Sequence, residues 1–125
     1  MIGSESAPEV PRAAGAEITY GDFAKVDMRI GRILAAEPFP EARNPSYKLT
    51  IDFGALGVRR SSAQITLRYQ PDELVGRLIV AVVNFPRKQI ATVMSEVLVL
   101  GAIPGAGDVV LLSPDADVVP GTPIA

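Results

Sequence analysis

The stretch VDMRIGRILA at residues 26–35 decides the fold, because its apolar positions change parity halfway along. Val26, Met28 and Ile30 alternate with charged residues at the two-residue period of a half-buried strand. After Gly31 the apolar side chains fall on the opposite parity. A shift of one residue at a glycine is typical of a β-bulge, which lets a long strand bend and serve both sides of a small curved sheet. The sequence therefore predicts a bent first strand with its bulge at Gly31.

The remainder of the chain adds several strands and little helix. Further strands are predicted from alternation or β-branched runs at residues 47–53, 58–65, 78–83, 96–100 and 109–112. Single helical turns are predicted at residues 19–24 and 66–69, the second of them between the third and fourth strands. This order favours an all-β, five-stranded OB-fold Greek-key barrel with short helical segments.

Length and composition limit the chemistry of the chain. Its 125 residues suffice for one domain, predicted at 17–125, preceded by a flexible tail at 1–16 that is rich in Pro, Ala, Ser, Gly and Glu. There is no cysteine and no histidine, which removes thiolate and imidazole ligands and the usual general base. We therefore expect no catalysis, metal or cofactor.

The longest apolar run, at 78–83, is too short to span a bilayer, and no signal peptide is visible. We therefore expect no membrane insertion and a cytoplasmic location.

Other candidate chemistry is weak. Ser61, Ser62 and Ser95 have no lysine at Ser-x-x-Lys spacing to act as a base, and we expect the Ser95 hydroxyl to bond backbone or a ligand phosphate. The acidic pairs 72–73 and 115–117 lie beside prolines in turn-like contexts, where acidic residues cap and solvate rather than hold a cation.

Charge is strongly segregated along the chain although the net charge is only −2. Residues 25–88 carry eleven basic and six acidic side chains, whereas both flanking stretches are acidic. A basic face could therefore attract anionic ligands in a protein of acidic pI. The alternative is that half or more of the basic groups face solvent or pair with Glu41, Asp52 and Asp72.

Five ordered blocks resemble one known family. They are FPEAR at 39–43, YKLTIDFG at 47–54, SSAQIT at 61–66, VNFP at 83–86 and MSEVLVLG at 94–101. With them, residues 19–125 resemble the CsaA family of export-associated, chaperone-like bacterial proteins, within the larger group of tRNA-binding-domain OB folds. The resemblance implies a non-enzymatic homodimer that binds unfolded or presecretory polypeptides and contacts the export motor SecA. It also implies tRNA binding as the alternative function.

Two sets of residues are candidates for these contacts. Phe39, Tyr47, Tyr69 and Phe85 are expected to be exposed near loops, where rings stack on bases or receive apolar side chains. The full set of peptide- or RNA-binding candidates is Phe39, Arg43, Lys48, Arg59, Arg60, Arg68, Phe85, Arg87, Lys88 and Ser95.

The run at 97–100 has no polar alternation, so a second copy of the chain is expected to cover one face of this strand. The candidate interface residues are Tyr20, Phe23, Val97, Leu98, Val99, Leu100 and Ile103.

Overall fold

Five antiparallel strands curl into a nearly closed barrel in the computed structural model, which describes residues 13–125. In chain order the elements are α1 (Tyr20–Ala24), β1 (Met28–Pro38), β2 (Tyr47–Asp52), a 3-10 turn (Gly54–Leu56), β3 (Val58–Ala63), α2 (Pro71–Leu74), β4 (Leu78–Val82), β5 (Lys88–Ile90), β6 (Val93–Ser95), β7 (Leu98–Val99), β8 (Gly101–Gly105) and β9 (Asp108–Leu111). The barrel strands lie in the order β3-β2-β1-β4-β7, and the pairs β5–β6 and β8–β9 form two separate hairpins.

The barrel is closed by bonds between β3 and the residues that precede β7. The Glu96 N–H donates to the Arg60 carbonyl oxygen at 2.8 Å, and the Arg60 N–H donates to the Glu96 carboxylate at 2.9 Å. The Ser61 hydroxyl donates to the Val97 carbonyl oxygen at 3.2 Å. The predicted all-β OB-fold is therefore confirmed.

The bend in β1 is real, but the predicted position of its bulge is wrong. The first part of β1 pairs with β4 and the second part with β2, and the register shifts between Ile33 and Ala35. Leu34 is the extra residue and is 46% exposed. Gly31 pairs regularly with Ile79. It is needed for packing, since a Cβ there would lie 2.6 Å from Ile51 Cγ2.

Adding a methyl group at Gly31 is expected to lower the free energy of unfolding by ~1–3 kcal/mol, because the ring of Phe53 and the side chain of Ile51 are fully buried and cannot retreat. Urea unfolding of Gly31→Ala measures this loss. Gly105→Ala is the matched control, because nothing lies within 4 Å of its new Cβ. Equal stability of the two variants would show that the barrel relaxes around residue 31.

Val97 and Val99 belong to the core of the barrel and are only 2% and 0% exposed. Their proposed place in a dimer interface is therefore wrong, because both side chains face the interior of their own barrel. Leu98 and Leu100 alternate with them and are half-buried, as is Ile103. Residues 97–100 are all apolar, yet their burial alternates as it does in a strand that has one face in the core.

The local structure agrees with the sequence-based prediction at the start of the domain and differs from it later in the chain. Thr19 caps α1, with the Asp22 N–H donating to the Thr19 hydroxyl at 3.0 Å in a capping box. The helical turn expected at 66–69 is instead a turn at 66–68, and the helix begins at Pro71, since proline is preorganised for a first helical position. The predicted strand at 96–100 is short, and the β5–β6 hairpin was not predicted.

The predicted tail at 1–16 lies mostly outside the described residues, which begin at 13. Residues 13–16 are exposed and have no regular secondary structure. Within residues 13–125, no helix has the length and apolar content that crossing a bilayer requires.

Candidate binding cleft

An open cleft of about 810 Å³ lies between the β1–β2 loop, the end of β3 and the β5–β6 hairpin. Its lining is mostly polar: Glu41, Arg43, Asn44, Ser46, Ser62, Gln64, Lys88, Gln89, Ile90 and Ala91. We call this site the cleft. It brings together parts of the chain that are about forty residues apart, so no local motif could have identified it.

The β1–β2 loop forms one wall of the cleft and is held by its own backbone. The Phe39 N–H donates to the Ser46 carbonyl oxygen at 3.1 Å, and the Ala42 N–H donates to the Phe39 carbonyl oxygen at 3.2 Å. The Ser46 hydroxyl donates to the Asn44 carbonyl oxygen at 2.8 Å. These bonds fix a loop that lacks strand pairing and present its polar side chains to the cleft.

The prediction that Phe39 and Tyr47 are exposed is wrong. Phe39 is 3% exposed, and the ammonium nitrogen of Lys48 lies 5.7 Å from the centre of its ring. Tyr47 is 8% exposed, and its hydroxyl donates to the Tyr69 carbonyl oxygen at 2.6 Å. Both rings are buried, and the residues that line the cleft include no aromatic side chain on which a base could stack. Phe85 is 48% exposed but does not line the cleft.

Arg43 and Lys88 are the two predicted basic residues that line the cleft, one on each wall. Neither makes an ion pair within 4.0 Å with any side chain among residues 13–125. Glu41 is the one acidic residue in the lining. Two basic groups with no partner in the described chain give the cleft a positive charge that suits phosphate or carboxylate ligands.

The other basic candidates are placed elsewhere or are engaged. Arg59 donates to the Leu56 carbonyl oxygen at 3.3 Å, while the side chain of Arg60 is exposed beside it on the opposite side of β3. Arg87 pairs with Glu96 at 3.4 Å. Arg68 forms a two-bond pair with Asp108, in which one nitrogen–oxygen distance is 2.8 Å. The acidic partners are thus Glu96 and Asp108, not the expected Glu41, Asp52 and Asp72.

The hydrogen bond from Arg68 lowers the pKa of Asp108 below its ordinary value of 3.8. The carboxylate form is favoured in the folded chain, so this pair contributes stability at neutral pH that is lost as pH falls through the lowered pKa. We expect Asp108→Asn to flatten the acid side of the stability profile, measured by urea unfolding between about pH 2 and pH 6. Asp72→Asn is the matched control, because it removes a carboxylate that has no ion pair in the described chain. An unchanged slope in Asp108→Asn would contradict the pairing.

Ser95 does not reach the cleft. It is 2% exposed, and its hydroxyl accepts from the Ser62 N–H at 3.1 Å. Of the two roles predicted for this hydroxyl, bonding to the backbone is confirmed. In the part of the chain that the structure describes, no three acidic side chains come together as a metal site would require.

Sequence reasoning missed the neutral half of the cleft. Asn44, Gln64 and Gln89 supply amide groups to its lining. Amide side chains offer both donors and acceptors, as the main chain of an extended polypeptide does. No periodic signal marks them, because each lies in a loop or a short hairpin strand.

Comparison with known proteins identifies one family, with ligases and chaperones among the relatives. The family model described as a putative tRNA-binding domain matches residues 28–123. Methionine–tRNA ligase of Rhodopirellula baltica is 43% identical over 105 residues, which are 84% of this chain and 15% of the ligase. The chain therefore spans about a seventh of the length of the curated relatives it matches.

Two of the solved structures that match over their whole length are CsaA chaperones. The crystal structure of the chaperone CsaA from Bacillus anthracis is 55% identical, with a TM-score of 0.85 over 88% of this chain and 100% of that chain. The CsaA chaperone protein from Picrophilus torridus is also 55% identical, with a TM-score of 0.81 over 87% of this chain and 100% of that chain.

Proposed function

We propose that this chain, which belongs to the family of the putative tRNA-binding domain, is a non-catalytic, CsaA-type protein. In this proposal it holds unfolded polypeptide in the cleft. The observation that carries this proposal is the likeness to two CsaA chaperones over their full length, at 55% identity. The ligases, in contrast, share only 15% of their length with this chain. In this proposal the domain binds its ligand and makes or breaks no covalent bond.

The chemistry of the cleft supports a polypeptide ligand. Its amide and hydroxyl groups can exchange hydrogen bonds with the exposed main chain of an unfolded segment. Arg43 and Lys88 attract carboxylates of the same segment. We extend the proposal to presecretory polypeptides held for export in the cytoplasm, with the export motor SecA as the protein that receives them.

The proposal includes a homodimer. Tyr20 is 81% exposed and Phe23 is 37% exposed, with their ring centres 6.5 Å apart on α1. Exposed aromatic pairs are enriched where proteins associate. Sedimentation of wild type and of Tyr20→Ala/Phe23→Ala tests this part, since the variant should fall to the monomer mass.

Transfer RNA is the second candidate, favoured by the family match and by the two basic side chains in the cleft. Two phosphate contacts predict a slope of about −1.4 to −1.8 in log K against log salt. Binding would then weaken about tenfold between about 50 and 200 mM salt. Polypeptide that is held largely by the neutral amide and hydroxyl groups of the cleft would weaken less over the same range, because those hydrogen bonds release no counterions.

Parallel titrations separate the two functions. An unfolded presecretory chain and bulk tRNA are each titrated with the wild-type protein over the salt series, using fluorescence anisotropy. Polypeptide binding that weakens less with salt than tRNA binding supports the proposed function. Binding of tRNA alone, with the slope that two phosphate contacts predict, would replace it with the second candidate, and binding of neither would end both.

A further inference from the structure

β5 is an edge strand that lies along the cleft. It pairs with β6 on one side, and β6 is the hairpin strand next to β3, where the Ser62 N–H bonds to Ser95. Four consecutive residues, 88–91, line the cleft. Successive side chains of a strand point to opposite faces, so an unbroken run in the lining means that the cleft meets the edge of the strand.

The register of the hairpin directs the main chain of Gln89 into the cleft. Ile90 pairs with Val93 across a two-residue turn, and such a pair exchanges the main-chain bonds that close the turn. Gln89 pairs with Met94 at the next position, where the N–H and C=O of an antiparallel ladder point away from the partner strand. No main-chain bond from another element within residues 13–125 satisfies these two groups.

We propose that an extended polypeptide segment binds as a third strand on β5, exchanging hydrogen bonds with the N–H and C=O of Gln89. This inference rests on the proposed function and specifies how the polypeptide is held. The added strand lies in the polar cleft, with its acidic side chains toward Arg43 and Lys88 on the two walls. Main-chain recognition is independent of side-chain sequence, as a protein that accepts many unfolded segments requires.

A proline at position 89 tests the hydrogen bond that the Gln89 N–H donates to the added strand. Gln89→Pro removes the outward N–H while leaving the ladder bonds to β6, because proline is tolerated on an edge strand whose N–H faces solvent. Gln89→Ala is the matched control, since both variants lose the side-chain bond to the Ala91 carbonyl oxygen. We expect Gln89→Pro to bind an unfolded acidic peptide about tenfold more weakly than Gln89→Ala, which lacks the same side-chain amide and therefore sets the reference affinity. Equal affinity of the two variants would overturn strand addition.

A modified ligand gives the same test without changing the protein. A synthetic acidic peptide of about a dozen residues is compared with its counterpart whose central amide nitrogens are all methylated. Strand addition predicts that only the unmodified peptide binds wild-type protein tightly. Equal binding of both peptides would reject strand addition and leave the proposed function standing. Binding of neither, with tRNA bound instead, would reject both.

Discussion

Phe53→Ala is expected to lower the free energy of unfolding by ~3–5 kcal/mol, the largest stability effect we expect of a single substitution in this chain. The ring is 0% exposed and lies directly over Gly31, where even a Cβ would come within 2.7 Å of it. Removing the ring would leave a cavity that the closed barrel cannot fill, because its walls are strands fixed by their ladders. Urea unfolding monitored by circular dichroism measures the loss.

Phe85→Ala is the control for this substitution, because the same atoms are deleted from a ring that is 48% exposed. Its expected cost is within about 0.5 kcal/mol. A loss below about 1 kcal/mol for Phe53→Ala would mean that the centre of the core lies elsewhere. A domain of this size has a free energy of unfolding of only about 5–15 kcal/mol, so a loss of ~3–5 kcal/mol is a large fraction of it.

Reversing the charge of the cleft should have the largest effect on binding. The double variant Arg43→Glu/Lys88→Glu replaces two basic groups, each able to make charge-assisted hydrogen bonds worth about 1.5–3 kcal/mol, with groups that repel carboxylates and phosphates. We expect its affinity for an unfolded acidic polypeptide to fall about 100-fold or more. The fall should be similar for tRNA if both ligands use the cleft.

Lys25→Glu/Arg60→Glu is the matched control, because it makes the same change in net charge at exposed positions outside the cleft. Its affinity should remain within about threefold of wild type, because exposed charges at a distance are screened by salt. A control that loses as much affinity as the cleft variant would show that overall charge, not the cleft, governs binding. Thermal unfolding of both variants verifies that they are folded.

The strands that could be predicted are those whose side chains alternate. Residues 47–53 carry their pattern in the sequence because one face of β2 packs in the core, and the observed burial alternates along the whole strand. The β5–β6 hairpin carries no such pattern, since its outer strand is exposed and its register is set by a two-residue turn. At that turn Ala91 adopts a φ of 48°, in the left-handed region where glycine or asparagine is expected from sequence.

The bulge and the aromatic side chains were misplaced for a shared reason. A glycine in a strand indicates either a bulge or a close approach, and only the neighbours of Gly31 in space decide between them. Phe39 lies in a proline-rich loop that reads as exposed, yet Lys48 covers its ring. Tertiary packing, which is not local in the sequence, determined both outcomes.

The site was predictable in its charge and not in its geometry. The segregation of basic residues into 25–88 predicts a positive surface, and Arg43 and Lys88 of that stretch line the cleft. The sequence gives no means of separating them from Arg68, because the Asp108 that engages Arg68 is forty residues away. The neutral amides of the cleft left no signal at all.

Amide hydrogen exchange, recorded with and without a saturating unfolded polypeptide, tests most directly whether the cleft is the binding site. We expect exchange to slow at residues 41–46 and 88–91 and to stay unchanged in α1 and in the β8–β9 hairpin. Slowed exchange confined to α1 or to β8–β9, with the cleft unaffected, would contradict the assignment.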